Sequence, residues 1–330
     1  MALTEWLPRV WYGGAPPPLG LRALVPIYRA LRALHRAPWA FGWKQPQRLP
    51  VPVIVVGNLT VGGTGKTPLV IALVDALRAR GRRPGVISRG YGAGEGAPKL
   101  LDATRDAALV GDEPLLIREA TGAPVAVGRD RVAAARLLLA QHDCDVIVAD
   151  DGLQHYPLFR NMEICVIDGE RRFGNGRLLP AGPLREPLSR LDSVDFRVCN
   201  GGKAGQGEVP MRLDGEVAVS LDTPGLQMPL RDFAGKRVHA VAGIGNPARF
   251  FTALRESGID VIEHAFPDHH PYAAGDLDFG DGLPVLMTEK DAVKCCAFGG
   301  SNRWQIPVRA TLPETFFDAV CKRVADFRKP

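Results

Sequence analysis

The sequence has no C-x-x-C pair, no apolar run approaching the roughly 18 residues of a membrane span, and no low-complexity tract or internal repeat. Its six cysteines stand at 144, 165, 199, 295, 296 and 321. Three of them, Cys144, Cys165 and Cys199, lie in or beside apolar stretches, where cysteine behaves as a small core residue. Zinc-ribbon and disulfide-scaffold readings are therefore weak, and a reducing cytosol is the simpler setting. The start of the chain also lacks the basic, apolar and small-residue layout of a signal peptide.

Acidic residues are scarce in one place. Residues 1–50 carry Glu5 alone against seven cations: Arg9, Arg22, Arg29, Arg32, Arg36, Lys44 and Arg48. The net charge of the whole chain is only +5, so the rest is close to neutral. Four of the five tryptophans (Trp6, Trp11, Trp39, Trp43) share this segment. In "LRALVPIYRALRALHR", helical spacing puts Leu21, Leu24, Val25, Tyr28, Leu31 and Leu34 on one side and Arg22, Arg29, Arg32 and Arg36 on the other. Arginines, an apolar face and flanking tryptophans suit a helix lying in a membrane interface and attracted by anionic phospholipid. The alternative is a helix docked on the protein's own core and kinked at Pro26. Nucleic acid is a poorer match, because the arginines alternate with leucines rather than with stacking or polar residues.

From about residue 50 the pattern alternates strand and helix. "VPVIVVGNL" is a β-branched run and "TPLVIALVDALRARG" a helix closed by Gly81. "RPGVISRGYG", "APVAVG", "CDVIVADDGLQH" and "MEICVIDG" read as further strands, with "DEPLLIREATG" and "RDRVAAARLLLAQH" as helices between them. This predicts an α/β fold with a mostly parallel sheet flanked by helices. A Gly/Pro-rich loop, "RRFGNGRLLPAGPLREPLSRL", breaks the rhythm, and loops of that length within a domain are commonly functional. "GGKAGQGE" reads as a boundary before a second, smaller α/β unit. The expected division is a membrane-associating segment over 1–48, a nucleotide-binding core over 49–200 and a C-terminal domain over 201–330.

"LTVGGTGKTPLV" misses the P-loop pattern by one residue, Thr60 standing where the leading glycine belongs. The remaining parts are present. Gly62, Gly63 and Gly65 allow the backbone to curl around phosphate, and Lys66 supplies charge. Thr67 supplies a hydroxyl for magnesium, and Pro68 is tolerated in a first helical turn. The predicted nucleotide site is Thr60, Val61, Gly62, Gly63, Thr64, Gly65, Lys66 and Thr67. A P-loop needs a second magnesium anchor, and Asp150 and Asp151 end an apolar strand, with Gln154 and His155 on the same rim. Asp112 opens a helix, where capping competes with a role at the ligand crevice. "FPDHHPY" sets His269 and His270 beside Asp268, a pattern that tunes a base near neutral pH but is weak alone.

Taken together, "VGNLTVGGTGKTP", "SRGYG", "VGDEPLL", "DDGLQH", "FGNGRLLPAGPLREP", "AGIGNPARFF", "FPDHHPY" and "MTEKDAVKC" resemble the bacterial tetraacyldisaccharide 4′-kinases, the lipid A kinases of Gram-negative envelopes. That family accepts Ser or Thr at the leading P-loop position. The resemblance implies a P-loop NTPase-like fold, ATP with Mg2+ as phosphoryl donor, and a tetraacyldisaccharide 1-phosphate as acceptor through its 4′-hydroxyl. It implies Lys66 and Thr67 on phosphate and magnesium, and Asp112 as the base with help from His269, His270 being its neighbour. Asp150, Asp151, Gln154 and His155 match the cluster between metal and acceptor, and Arg89, Tyr91, Arg185 and Glu186 fall in segments expected to line the site. An acylated acceptor cannot leave the bilayer, so the expected location is the cytoplasmic face of the inner membrane, peripherally held. No nucleic acid or obligate protein partner is expected. The rival reading is a membrane-positioned regulatory P-loop NTPase or metallocentre chaperone, which would call for Cys/His metal ligands that the cysteine spacing does not offer.

Overall fold

Two helices precede the first strand: α1 (Leu3–Tyr12) and α2 (Leu19–Ala40). The structure is a computed structural model that describes residues 3–90, 96–101 and 107–327. Buried Trp11 anchors α1, its indole N–H donating to Pro180 O at 2.9 Å. No residue of α2 is buried, so it is not a core helix. Its half-buried strip is Leu21, Val25, Tyr28 and Arg32. On one flank of that strip Leu24, Ile27, Leu31 and Leu34 are exposed, and on the other Arg22, Arg29 and Arg36. The face expected from sequence is thus rotated. Arg32 turns inward because the buried Glu186 carboxylate offers it an ion pair at 3.6 Å.

The first layer begins at β1 (Val53–Gly57), whose residues are all buried. The chain continues through α3 (Lys66–Ala79), β2 (Pro84–Ser88), β3 (Lys99–Leu100), α4 (Ala107–Val110), α5 (Asp112–Thr121), β4 (Val125–Val127), α6 (Arg131–Gln141), β5 (Val146–Ala149) and β6 (Met162–Asp168). It passes the long loop into β7 (Phe196–Asn200) and β8 (Glu208–Asp214). The second layer holds β9 (Val217–Ser220), β10 (Gln227–Pro229), β11 (Arg237–Ala242), α7 (Pro247–Glu256), β12 (Asp260–Ala265), β13 (Val285–Thr288), α8 (Glu289–Cys295) and β14 (Arg303–Ile306). β15 (Arg309–Thr311) and α9 (Glu314–Ala325) close the chain.

Among the described residues the strands form two sheets, ordered β15-β8-β7-β6-β1-β5-β2-β4-β3 and β10-β9-β14-β13-β11-β12. The first is parallel from β8 to β4, with antiparallel strands only at its edges. Leu69, Leu73 and Leu77 of α3, Leu115 of α5 and Phe316 and Val320 of α9 cover one face, and Val132, Ala135 and Leu138 of α6 cover the other. This is the expected P-loop NTPase-like α/β architecture. The break expected after residue 200 does not coincide with the division between sheets. β8 extends the first sheet beyond the glycine-rich turn, and the chain returns to that sheet for β15 and α9. β9, β10 and β15 are short, and β8, though seven residues long, carries exposed and half-buried positions, so no clean apolar run marked them.

β1 lies between β5 and β6: the chain leaves β1 toward β2 on one side, and leaves β5 in the opposite sense for β6 on the other. A crevice outside the C-terminal ends of such strands is where an open α/β sheet takes a ligand. The P-loop follows β1, the acid pair follows β5, and the loop 243–246 after β11 approaches from the second sheet.

Candidate active site

The loop from Thr60 to Gly65 is held by buried side chains from its own layer. Asn58, fully buried, donates to Thr60 O at 2.9 Å, while its Oδ1 accepts from Lys66 Nζ at 3.3 Å. Thr60 is buried and bridges to Leu184 of the long loop, a contact that does not need a glycine. Gly65 has φ 88°, and a side chain there would collide with the Asn200 amide, whose Nδ2 donates to Thr64 O at 3.0 Å. Arg171, paired with Asp168, donates to Gly63 O at 2.6 Å. A side chain on Gly245 would stand 2.7 Å from Gly63 N, so two glycine backbones meet where the layers touch.

A cleft of about 1400 Å³ runs along this loop. Among the residues expected at the site, Val61 to Thr67, Arg89, Asp151, Gln154, His155, Arg185, Glu186 and His269 line it. Asp112 and Asp150 lie just behind its wall, and Tyr91 falls outside the described residues.

The two neighbouring aspartates differ. Burial raises the Asp151 carboxyl, but Lys66 at 3.6 Å, Arg185 at 3.3 Å and Arg131 outweigh it and hold it below the ordinary carboxylate range. Asp150 is fully buried, and neither of its carboxylate oxygens has a hydrogen-bond partner. Burial, with the Glu113 charge added, pushes its carboxyl well up. An unpartnered buried carboxylate costs free energy until a cation joins it, so the chemistry of the pair fits a divalent metal. Arg131 steadies the turn, donating to Asp151 O at 2.7 Å.

Across the cleft, Asp112 begins α5 and is 5% exposed. His269 reaches it from the second layer, Nδ1 standing 3.0 Å from both carboxylate oxygens. Burial would raise the Asp112 carboxyl, yet the His269 hydrogen bond and the ammonium groups of Lys290 and Lys294 more than offset it. The same hydrogen bond raises the His269 imidazole, against the lowering effect of its burial. His270 points elsewhere, pairing with Asp276 at 3.2 Å, so the structure joins Asp112 to the first histidine of the motif.

A third group surrounds the buried carboxylate of Glu186. Tyr156 donates to it at 2.7 Å and Gln154 at 3.0 Å, and Gln154 also reaches Asn58 O at 3.1 Å. The neighbouring His155 is driven down to about 4, by burial first and then by Arg131 and Arg160. It is a neutral imidazole at physiological pH.

Sequence reasoning missed the groups that hold the machinery. Lys290 bridges Asp268 at 3.1 Å and Glu113 at 3.2 Å, and it and Lys294 each lie 3.8 Å from Asp112. "MTEKDAVKC" contained the signal, two lysines one helical turn apart, but no spacing tied them to Asp112 more than 170 residues earlier. Asn58, Asn200 and Arg171 gave none beyond their places at strand ends.

A family profile described as tetraacyldisaccharide-1-P 4′-kinase matches residues 19–325. The chain is 53% identical to the tetraacyldisaccharide 4′-kinase of Stenotrophomonas maltophilia (strain R551-3), over 97% of each protein. It is 52% identical to that of Xanthomonas euvesicatoria pv. vesicatoria (strain 85-10), over 96% of this chain and 95% of the relative. Among solved structures, LpxK from Aquifex aeolicus in complex with ATP superposes with a TM-score of 0.77 at 28% identity, covering 92% of this chain and 99% of that one.

Proposed function

The chain belongs to the tetraacyldisaccharide-1-P 4′-kinase family, and from that premise we propose how its cleft moves a phosphoryl group. It is a kinase of lipid A biosynthesis: the γ-phosphate of ATP passes to the 4′-hydroxyl of a tetraacyldisaccharide 1-phosphate. The observation that carries the mechanistic reading is the Asp112–His269 pair, set across one cleft from the Lys66 ammonium.

The acceptor hydroxyl is a weak nucleophile that needs a positioned base. Asp112 takes its proton as the oxygen attacks the γ-phosphorus. The new O–P bond forms while the bond to the bridging oxygen breaks, and that electron pair leaves with ADP. His269 keeps Asp112 ionised and oriented, since its hydrogen bond is lost if the carboxylate turns or protonates. Lys66 offsets charge on the transferred group. Magnesium would supply further charge neutralisation on the phosphates, and Thr67, Asp150 and Asp151 are the residues to hold it. Gln154, His155, Arg185, Glu186, Arg89 and Tyr91 are assigned to the acceptor side.

The acceptor's acyl chains require a membrane surface. Among the described residues no helix is long and apolar enough to cross a membrane. The outward leucine row of α2 suits insertion among lipid chains, and its outward arginine row suits anionic phospholipid. The reading is a peripheral protein at the cytoplasmic face of the inner membrane.

The test is product analysis. Purified protein, Mg-ATP and tetraacyldisaccharide 1-phosphate in mixed micelles should yield a lipid with a second phosphate, placed at the 4′ position by NMR. Phosphate released only to water, or esterified at another hydroxyl, would refute the reading.

A further inference from the structure

We infer that Arg32 forms a second anion subsite at the membrane-side mouth of the cleft, taking the phosphate at the far end of the acceptor. The inference rests on the kinase reading above.

Arg32 is the one arginine of α2 turned inward; Arg22, Arg29 and Arg36 are exposed. Its Nε and Nη1 are both buried, and neither has a hydrogen-bond partner. The nearest carboxylate, Glu186, stands 3.6 Å away, an ion pair too long for a hydrogen bond. Glu186 is already engaged, accepting from Tyr156 and Gln154 and approached by Arg190 at 3.8 Å. It therefore orients the guanidinium without saturating it. Unpartnered donors on a buried cation are costly, which points to an acceptor brought by the ligand. Arg32 lines the same cleft as the P-loop and His269, together with Tyr28 and His35.

A planar guanidinium with free donors matches a phosphate oxyanion. Two anions could reach this mouth, the acceptor's own 1-phosphate and a phospholipid headgroup. The first is the better match. Arg22, Arg29 and Arg36 are already exposed to meet headgroups, whereas the Arg32 side chain is only 19% exposed and lines the cleft. An acceptor whose 4′-hydroxyl lies at Asp112 must place its 1-phosphate at the opposite end of the disaccharide, away from the P-loop. The chain of contacts from Lys66 through Asp151 and Arg185 to Glu186 and Arg32 runs in that sense.

The experiment compares acceptors with and without the 1-phosphate, in micelles of fixed composition, for wild type, Arg32→Gln and Arg32→Lys. Wild type should prefer the phosphorylated acceptor by roughly 10-fold to 100-fold in kcat/KM, the range of charge-assisted hydrogen bonds. Arg32→Gln should abolish most of that preference with the KM for ATP unchanged. Arg32→Lys should keep part of it, because charge survives without the planar fork. If Arg32→Gln does not fold, the reduced preference of Arg32→Lys carries the test. Three results would overturn the subsite: no preference in wild type, an undiminished preference in the variants, or a defect that follows the anionic phospholipid content whichever acceptor is used. Absence of transfer to either acceptor by wild type would instead remove the kinase reading, and the subsite with it.

Discussion

Replacing His269 by alanine should move the acid limb of the kinase's pH profile upward. As the proposed base, Asp112 can act only while ionised, and two opposing effects set its titration. Burial at 5% exposure favours the neutral acid, while the His269 hydrogen bond leads the effects that favour the carboxylate, with Lys290 and Lys294 each 3.8 Å away. A hydrogen bond to a charged group contributes about 1.5–3 kcal/mol, and a tenfold change in proton affinity corresponds to about 1.36 kcal/mol. His269→Ala removes that bond and leaves the burial in place. Because activity is lost as pH falls through the pKa of the base, the acid limb of kcat should move to a pH higher by about one to two. The two lysines remain in the variant and keep the displacement from being larger. The assay is single-turnover phosphate transfer at saturating Mg-ATP from pH 4.5 to 9, wild type against variant, so that titration of the nucleotide cancels. Wild type, its Asp112 held low, should stay on its plateau down to pH 4.5, whereas the variant should already decline there. A limb that stays in place while the plateau falls would refute the reasoning, leaving His269 with a purely steric role.

Other outcomes follow from the same geometry. Lys66→Ala should lower turnover by roughly 100-fold to 1,000-fold, in line with loss of one transition-state charge partner, measured by single-turnover kinetics. Gly65→Ala forces a side chain onto φ 88° and against the Asn200 amide. It should cost about 1–3 kcal/mol and abolish the thermal shift that ATP produces. Asp150→Asn should be more heat-stable than wild type at pH 8 without magnesium. The raised carboxyl pKa means wild-type stability is lost as pH rises through it, so the gain should vanish at low pH, and magnesium-dependent activity should fall in the variant. Leu24→Asp with Ile27→Asp should release the protein from anionic vesicles in a sedimentation assay, since each side chain contributes about 1.5–3 kcal/mol when fully buried in an apolar medium.

Local chemistry was readable from the sequence, and long-range closure was not. The P-loop announces itself because phosphate binding needs glycines, a lysine and a hydroxyl within eight residues, and because a β-branched strand and an amphipathic helix flank it. Asp150 and Asp151 stood out as candidates for the same reason, at the end of an apolar run. By contrast, the Asp112–His269 pair spans 157 residues and two sheets, so only a family resemblance joined them in the sequence. Arg32 shows a subtler limit. Helical periodicity put it with the other arginines, and a buried carboxylate in a distant loop turned it inward. The return of β15 and α9 to the first sheet was equally hidden, since an amphipathic helix such as α9 does not reveal which sheet it will cover.

The most direct test of Asp112 as the base is Asp112→Asn, which keeps the shape and removes the charge. Transfer of γ-labelled phosphate to the tetraacyldisaccharide 1-phosphate should fall by roughly 100-fold to 10,000-fold, the span of a positioned acid or base, while ATP affinity measured by calorimetry holds. Near-normal transfer by Asp112→Asn with intact ATP binding would contradict the assignment and move the base elsewhere in the cleft.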